Sequence, residues 1–210
     1  MTLAGIYAIT DSVLTPGELL LEAAAQALAG GVSVLQYRDK QSPPRQRLAQ
    51  ARALQTLCAV HQVPLLINDD VQLCLESGAS GVHLGQSDLS IDRARALLGD
   101  QAIIGVTCHA DLELARRAAQ AGASYVAFGR FFPSRTKPAA PPAPLQILTE
   151  ARRQLSIPIA AIGGIDAYNA GQVLRAGADL LAVINYLFAG PGTESRARQL
   201  NTIYRGHAAQ

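Results

Sequence analysis

Pro64-Leu65-Leu66-Ile67-Asn68-Asp69-Asp70 is a short apolar run that stops on an amide and two carboxylates. Its hydrophobicity is continuous rather than alternating, as in a strand buried on both faces of a parallel sheet. Polar groups massed at its carboxyl end belong at the rim of such a sheet, where ligands sit. Seven other runs share this form: Ile6 to Thr10, Ser33 to Arg38, Gly81 to Gly85, Ile103 to Thr107, Tyr125 to Gly129, Pro158 to Gly163 and Leu180 to Asn185. Between them lie segments of good helix formers with apolar residues at helical spacing, as in Leu19 to Leu28 and Leu112 to Ala121.

Strand and helix patterns alternating in this way predict an α/β fold, a (β/α)8 TIM barrel forming a single domain over residues 1–210. An internal echo supports the count. Ala29-Gly30-Gly31-Val32-Ser33, Ser77-Gly78-Ala79-Ser80, Ala121-Gly122-Ala123-Ser124 and Ala176-Gly177-Ala178-Asp179 each close a helix and open a strand, with a glycine suited to a left-handed helix end. A doubly wound open sheet is the alternative, but no GxGxxG follows the first run.

With 49% hydrophobic and 16% charged residues, the 210-residue chain can bury a substantial core unaided. A formal net charge of +2 with no basic block leaves no footprint for nucleic acid or anionic membrane, so small molecules are the expected partners. A homo-oligomer is left open. Cys58, Cys74 and Cys108 are odd in number and form no CxxC, which predicts free thiols in a reducing cytoplasm. No run reaches the roughly 18 apolar residues of a membrane span, and the segment from Met1 to Gly5 has no basic leader pattern.

The ends of the runs carry the chemistry. Gln36, Arg38 and Lys40 alternate onto one side of the second run, placing an amide and two cations in one space. Asn68 and Asp69 end the third run, while Asp70 stands where a helix cap is wanted. Asp88 follows the fourth run and could share a Mg²⁺ with Asp69, though it could also cap a helix starting near Ser90. His83, without a second ligand at metal spacing, suits a packed and hydrogen-bonded histidine, and nothing marks Cys108 as an activated thiolate. Thr107 ends the fifth run beside His109.

Arg130 to Pro144 holds five prolines, too many for a helix, and its length suits a lid. Within it Ser134, Thr136 and Lys137 suit anionic oxygens. Gly163 and Gly164, with Asp166 ready to cap the next helix, and the end of the last run at Ile184 and Asn185 lie where these barrels usually bind phosphate. Two anion zones imply two phosphorylated substrates, or one phosphorylated at both ends, and departure of a pyrophosphate.

Tyr7-Ala8-Ile9-Thr10-Asp11, Gln36-x-Arg38-x-Lys40, Asn68-Asp69, Gly81-Val82-His83-Leu84-Gly85-Gln86-x-Asp88, Gly105-Val106-Thr107, Pro133-Ser134-x-Thr136-Lys137 and Gly163-Gly164-Ile165 occur in this order over nearly the whole chain. The set resembles the thiamine-phosphate synthase family. The resemblance implies transfer of a hydroxymethylpyrimidine group from its diphosphate onto thiazole phosphate, giving thiamine phosphate and pyrophosphate. It implies Mg²⁺ on Asp69 and Asp88, and the aminopyrimidine on Gln36 and Asn68. Arg38, Lys40 and Lys137 would hold the diphosphate with help from Thr107. Ser134, Thr136, Asn185 and backbone at Gly164 and Ile184 would meet the thiazole phosphate.

The family pattern has Ser where this chain has Thr107 and Thr where it has Ser134, both hydroxyl for hydroxyl. Its last strand differs more, since Asn185-Tyr186 replaces Ser-Ala and Tyr186 adds bulk near the expected thiazole phosphate. Two other functions are weighed. A thiazole tautomerase on the same barrel would need a proton-transfer group, for which His109 is the candidate, but has no use for the diphosphate cations. A non-catalytic barrel binding thiamine precursors would bind without turnover.

Overall fold

A computed structural model describes residues 3–134 and 141–209 of the protein. Eight parallel strands close into a barrel in sequence order, β1 (Gly5–Ile9), β2 (Val34–Tyr37), β3 (Leu65–Asn68), β4 (Gly81–Leu84), β5 (Ile103–His109), β6 (Tyr125–Phe128), β7 (Ile159–Ile162) and β8 (Leu180–Val183), with β8 pairing back onto β1. The crossovers are α1 (Leu19–Ala29), α2 (Pro44–Val60), α3 (Val71–Ser77), α4 (Ile91–Leu98), α5 (Leu112–Gln120), α6 (Gln146–Gln154) and α7 (Ala170–Arg175). A short α8 (Asn185–Phe188) and a long α9 (Thr193–Ala208) end the chain. The expected barrel is present; the strands are mostly shorter than the apolar runs because their last residues turn onto the rim.

Alternation along the strands divides the core in two. One set, including Ile6, Leu35, Ile67, Val82, Val126 and Leu181, packs outward against the helices. The other, including Tyr7, Val34, Leu66, Tyr125, Ala160 and Leu180, fills the barrel itself. Gln36 and His83 share that inner parity and are buried with it, at 2% and 8% exposure.

The fourfold echo has a structural cause. Gly31, Gly78, Gly122 and Gly177 all adopt positive φ, where a side chain would be strained. Each turn hands the chain to a residue whose amide bonds back to the strand before it: Ser33 to Ile6, Ser80 to Leu65, Ser124 to Ile104 and Asp179 to Ile159. Three of the four add a side-chain bond at the same joint. Ser33 Oγ donates to the Ile6 carbonyl, Ser124 Oγ accepts from Ile104 N, and Asp179 Oδ2 accepts from Ile159 N while also meeting Arg152.

The seam between β8 and β1 is covered by α9, which contacts α1, α7 and β1. Its approach to the end of α1 is close. A Cβ at Gly30 would stand 2.4 Å from Ala197 Cβ, and one at Gly31 would stand 2.2 Å from Asn201 Nδ2. No helix among the described residues is long and apolar enough to cross a membrane.

Candidate active site

At the carboxyl end of β3 the backbone makes a left-handed step at Asp69, with φ 63°. Asp69 N still donates to His83 O of β4, while Asp70 N donates to Asn68 O, so the chain folds sharply and leads into α3. Asp70 then takes the expected cap, its Oδ1 accepting from Leu73 N at 2.9 Å, and also pairs with Arg47 at 3.2 Å. Capping is thereby assigned to Asp70, and Asp69 faces the mouth.

Asp88 comes from the other side. Its Oδ2 accepts from Gly85 N at 2.6 Å, folding the carboxylate back over the end of β4. The cap of α4 is Ser90, which accepts from Arg93 N, so Asp88 does not serve that helix. Burial disfavours the charged form of Asp69, but the Lys40 ammonium 3.0 Å from Oδ2 and hydrogen bonds with Asp88 and Asn68 more than offset it. The Asp69 carboxyl is thus held below its usual range. Two adjacent carboxylates on neighbouring strand ends, one already bearing a cation, form a donor set of the kind Mg²⁺ takes, with few protein oxygens. Among the described residues no larger cluster of metal-ligating side chains occurs.

Two of the expected cations, Lys40 and Arg38, lie on the same flank. Lys40 pairs with Asp69, whereas Arg38 is held by Asp11 at 3.3 Å, with its amide donating to Thr10 Oγ1 at 2.9 Å. Asp11, whose role no local sequence pattern marks, fixes the guanidinium.

Inside the mouth runs a chain of polar groups that periodicity alone did not single out. Gln36 Nε2 donates to the Tyr7 hydroxyl, which lies 2.7 Å from the Tyr125 hydroxyl. Tyr125 reaches His83 Nδ1 at 2.7 Å, and His83 Nε2 reaches Thr107 Oγ1 at 2.8 Å. His83 is thus packed and hydrogen-bonded, as expected. Burial raises the hydroxyl pKa of both tyrosines. The Tyr125 ring occupies the place of a side chain at Gly105, where a Cβ would stand 2.0 Å from its Cζ. That accounts for the glycine of Gly105-Val106-Thr107.

On the opposite flank, the proline-rich segment is tied down at both of its described ends. Phe131 N and Phe132 N donate to Ile162 O and Gly163 O, and Ala143 N donates to Arg130 O. Gly163 and Gly164 both have positive φ, and side chains there would strike Arg130 and Pro133. Part of the reason for this glycine pair is therefore the segment from Arg130 to Pro133 lying across it. Ser134, which follows that segment, is half-buried; Thr136 and Lys137 fall outside the described residues.

Ile184 packs with the barrel interior, but Asn185 is not the end of a strand. β8 stops at Val183, and Asn185 opens α8 because the Ile184 backbone turns to a helical sign of ψ. Tyr186 directs its hydroxyl to Gln199 of α9 at 2.7 Å, which ties its bulk to that helix. Asp166 also departs from expectation. It accepts from Tyr168 N and Asn169 N in a turn, and Asn169 holds the cap position of α7.

Residues 6–187 match the family model described as thiamine monophosphate synthase. The chain belongs to that family. A thiamine-phosphate synthase of Marinobacter nauticus is 54% identical over 205 residues, covering 97% of this chain and 92% of the relative. One from Thioalkalivibrio sulfidiphilus is 52% identical, covering 96% of each. Among solved structures, a thiamine phosphate pyrophosphorylase from Pyrococcus furiosus superposes with a TM-score of 0.89 at 31% identity, covering 97% of this chain and 96% of that one. A 3-hexulose-6-phosphate synthase, at 15% identity and a TM-score of 0.68, shares the fold.

Within the thiamine monophosphate synthase family frame, His109 finds no second argument for proton transfer. It ends β5 exposed, with φ 52°, and its carbonyl accepts from Gly129 N. Cys108 beside it is buried and its thiol is pushed up to about 12, first by burial and then by Asp111. Neither is placed as a nucleophile or base.

Proposed function

We propose that this chain is a thiamine-phosphate synthase, a cytoplasmic transferase that joins the hydroxymethylpyrimidine of a pyrimidine diphosphate to thiazole phosphate and releases pyrophosphate. The observation that carries the reading is the rim formed by Asp69, Asp88, Lys40 and Arg38, in a chain 54% identical to a synthase over nearly its full length. Asp69 and Asp88 would hold Mg²⁺, which when bound would supply charge neutralisation to the departing diphosphate.

The chain's own residues do the rest. Gln36 and Asn68, on the inner parity of β2 and β3, hold the aminopyrimidine at the barrel axis. Arg38, Lys40 and Lys137 bind the diphosphate, with Thr107 donating from below, and so stabilise charge as the C–O bond opens. The methylene becomes carbocation-like and is captured by the thiazole nitrogen, so no general base is required. Ser134, Thr136, Asn185 and the backbone at Gly164 and Ile184 keep the thiazole phosphate on the lid side.

Incubation with both substrates and Mg²⁺ is expected to yield thiamine phosphate and pyrophosphate in equal amounts, and a chelator should stop it. Absence of product with verified substrates would refute the reading.

A further inference from the structure

The buried chain from Gln36 to Thr107 has a property that none of its members has alone. Tyr7 and Tyr125 each own one hydroxyl hydrogen, and a neutral imidazole owns one ring hydrogen. The Gln36 amide donates to the Tyr7 oxygen. For every link to hold a single hydrogen, Tyr7 must donate to Tyr125, Tyr125 to His83 Nδ1, and His83 Nε2 to Thr107 Oγ1. Thr107 then keeps its own hydroxyl hydrogen for the mouth, and Gln36 keeps its carbonyl oxygen.

Rotating the Gln36 amide by half a turn reverses every link. Thr107 would then donate inward and offer only lone pairs, and Gln36 would offer its NH2. Mixed arrangements put two hydrogens, or none, into one link; each leaves a buried polar group opposed, at a cost of about 1–3 kcal/mol. The rings have little freedom to escape the rule. Tyr125 stands edge-on to Tyr7 with centroids 5.8 Å apart, stacks on His83 at 5.6 Å, and fills the space over Gly105.

We propose that this wire couples the two ends of the pyrimidine diphosphate site. An anion at Thr107 demands a donor hydroxyl, which fixes the polarity of all four links and leaves Gln36 showing an acceptor. An acceptor receives the exocyclic amino group of an aminopyrimidine and opposes the oxygen of an oxopyrimidine. The diphosphate end of the substrate thereby enforces amino selection at the other end. Tyr7, Tyr125 and His83 act as positioning residues. Burial raises both tyrosine hydroxyls, which keeps one hydrogen on each. The proposal rests on the synthase reading above.

Two measurements on the full-length protein test it. With inorganic pyrophosphate and Mg²⁺ added, ¹⁵N-histidine NMR is expected to show His83 neutral and protonated at Nε2. An Nδ1–H tautomer, or an imidazolium, overturns the wire. The second measurement is the ratio of kcat/KM for the 4-aminopyrimidine diphosphate over its 4-oxo analogue. That ratio should fall at least about tenfold in Tyr125→Phe and in Tyr7→Phe, because Gln36 becomes free to turn either way.

An unchanged ratio in either variant, with native circular dichroism, overturns the coupling. If Tyr125→Phe does not fold, Tyr7→Phe and the wild-type tautomer decide. No turnover of the aminopyrimidine diphosphate by wild type removes the synthase reading and the coupling together, whereas normal turnover with an unchanged ratio in the variants removes the coupling alone.

Discussion

At the amino-terminal ends of the strands, Ser33, Ser80, Ser124 and Asp179 make one kind of joint four times. At the carboxyl-terminal ends, the strands finish on an amide and acid at β3, a bulged His109 at β5, a glycine at β6 and a glycine pair at β7. Two of the three non-glycine residues with left-handed backbone among those described, Asp69 and His109, lie at this second end; Gln62 lies at the first. Repetition serves closure of the ring, where every strand has the same task. Binding a particular molecule gives each strand a different task, and symmetry is lost where ligands are held.

Single substitutions can separate the two ends. The largest effect is expected for Asp69→Gly and Asp88→Ala, which should lower kcat/KM by at least about 10²-fold. Asp69→Gly should leave the urea midpoint close to wild type, within about 0.5 kcal/mol, because glycine accepts φ 63° more readily than aspartate. A near wild-type rate at low Mg²⁺ in either variant would remove the shared-metal assignment. Arg38→Ala follows at about 10-fold or more on kcat/KM, since its anchor Asp11 remains and only the guanidinium is lost.

The converse change is Asp179→Ala at the opposite end. It removes an acceptor for Ile159 N and the Arg152 pair, and should cost about 1–2 kcal/mol in urea unfolding with kcat within about twofold of wild type. A large loss of turnover there would mean that the ends are not independent. The smallest effect concerns the thiols. Burial pushes Cys58 and Cys108 up to about 12 and Cys74 to about 11, so the protonated form dominates at pH 8 and the native protein should resist alkylation. Three thiols should titrate only after unfolding, with activity unchanged by the reagent before it.

The repeating end was the more legible from sequence. Glycine turns and apolar runs are local signals, and eight runs with four glycine turns between them leave few topologies. The echo at Ala29, Ser77, Ala121 and Ala176 marked four joints before their hydrogen bonds were known. At the rim, residue types were legible but their division of labour was not. Asp69 and Asp70 are adjacent in sequence and separate only through the left-handed step between them. For Asp88 the sequence allows either a cap or a metal ligand, and the structure removes the first, because Ser90 caps α4.

Asn185 reads as a strand end because β8 and α8 are separated by Ile184 alone, with no glycine or proline to mark the change. Tyr7 and Tyr125 read as apolar members of their strands. Their bond joins residues 118 positions apart, which no local pattern records. The grip of Asp11 on Arg38 is another such contact, across 27 positions.

Because neighbours in the chain are neighbours in the sheet, seven of the eight strand pairings form between consecutive strands, and only β8 with β1 joins the two ends of the polypeptide. Until that last pairing forms, β1 and β8 are open edges able to accept a strand from another molecule. Helix α9, pressed against Gly30 and Gly31, is the clasp over that seam. The sixteen residues of α9 therefore cover the one pairing on which closure of the ring depends, and with it the two edges at which a strand from another molecule could add.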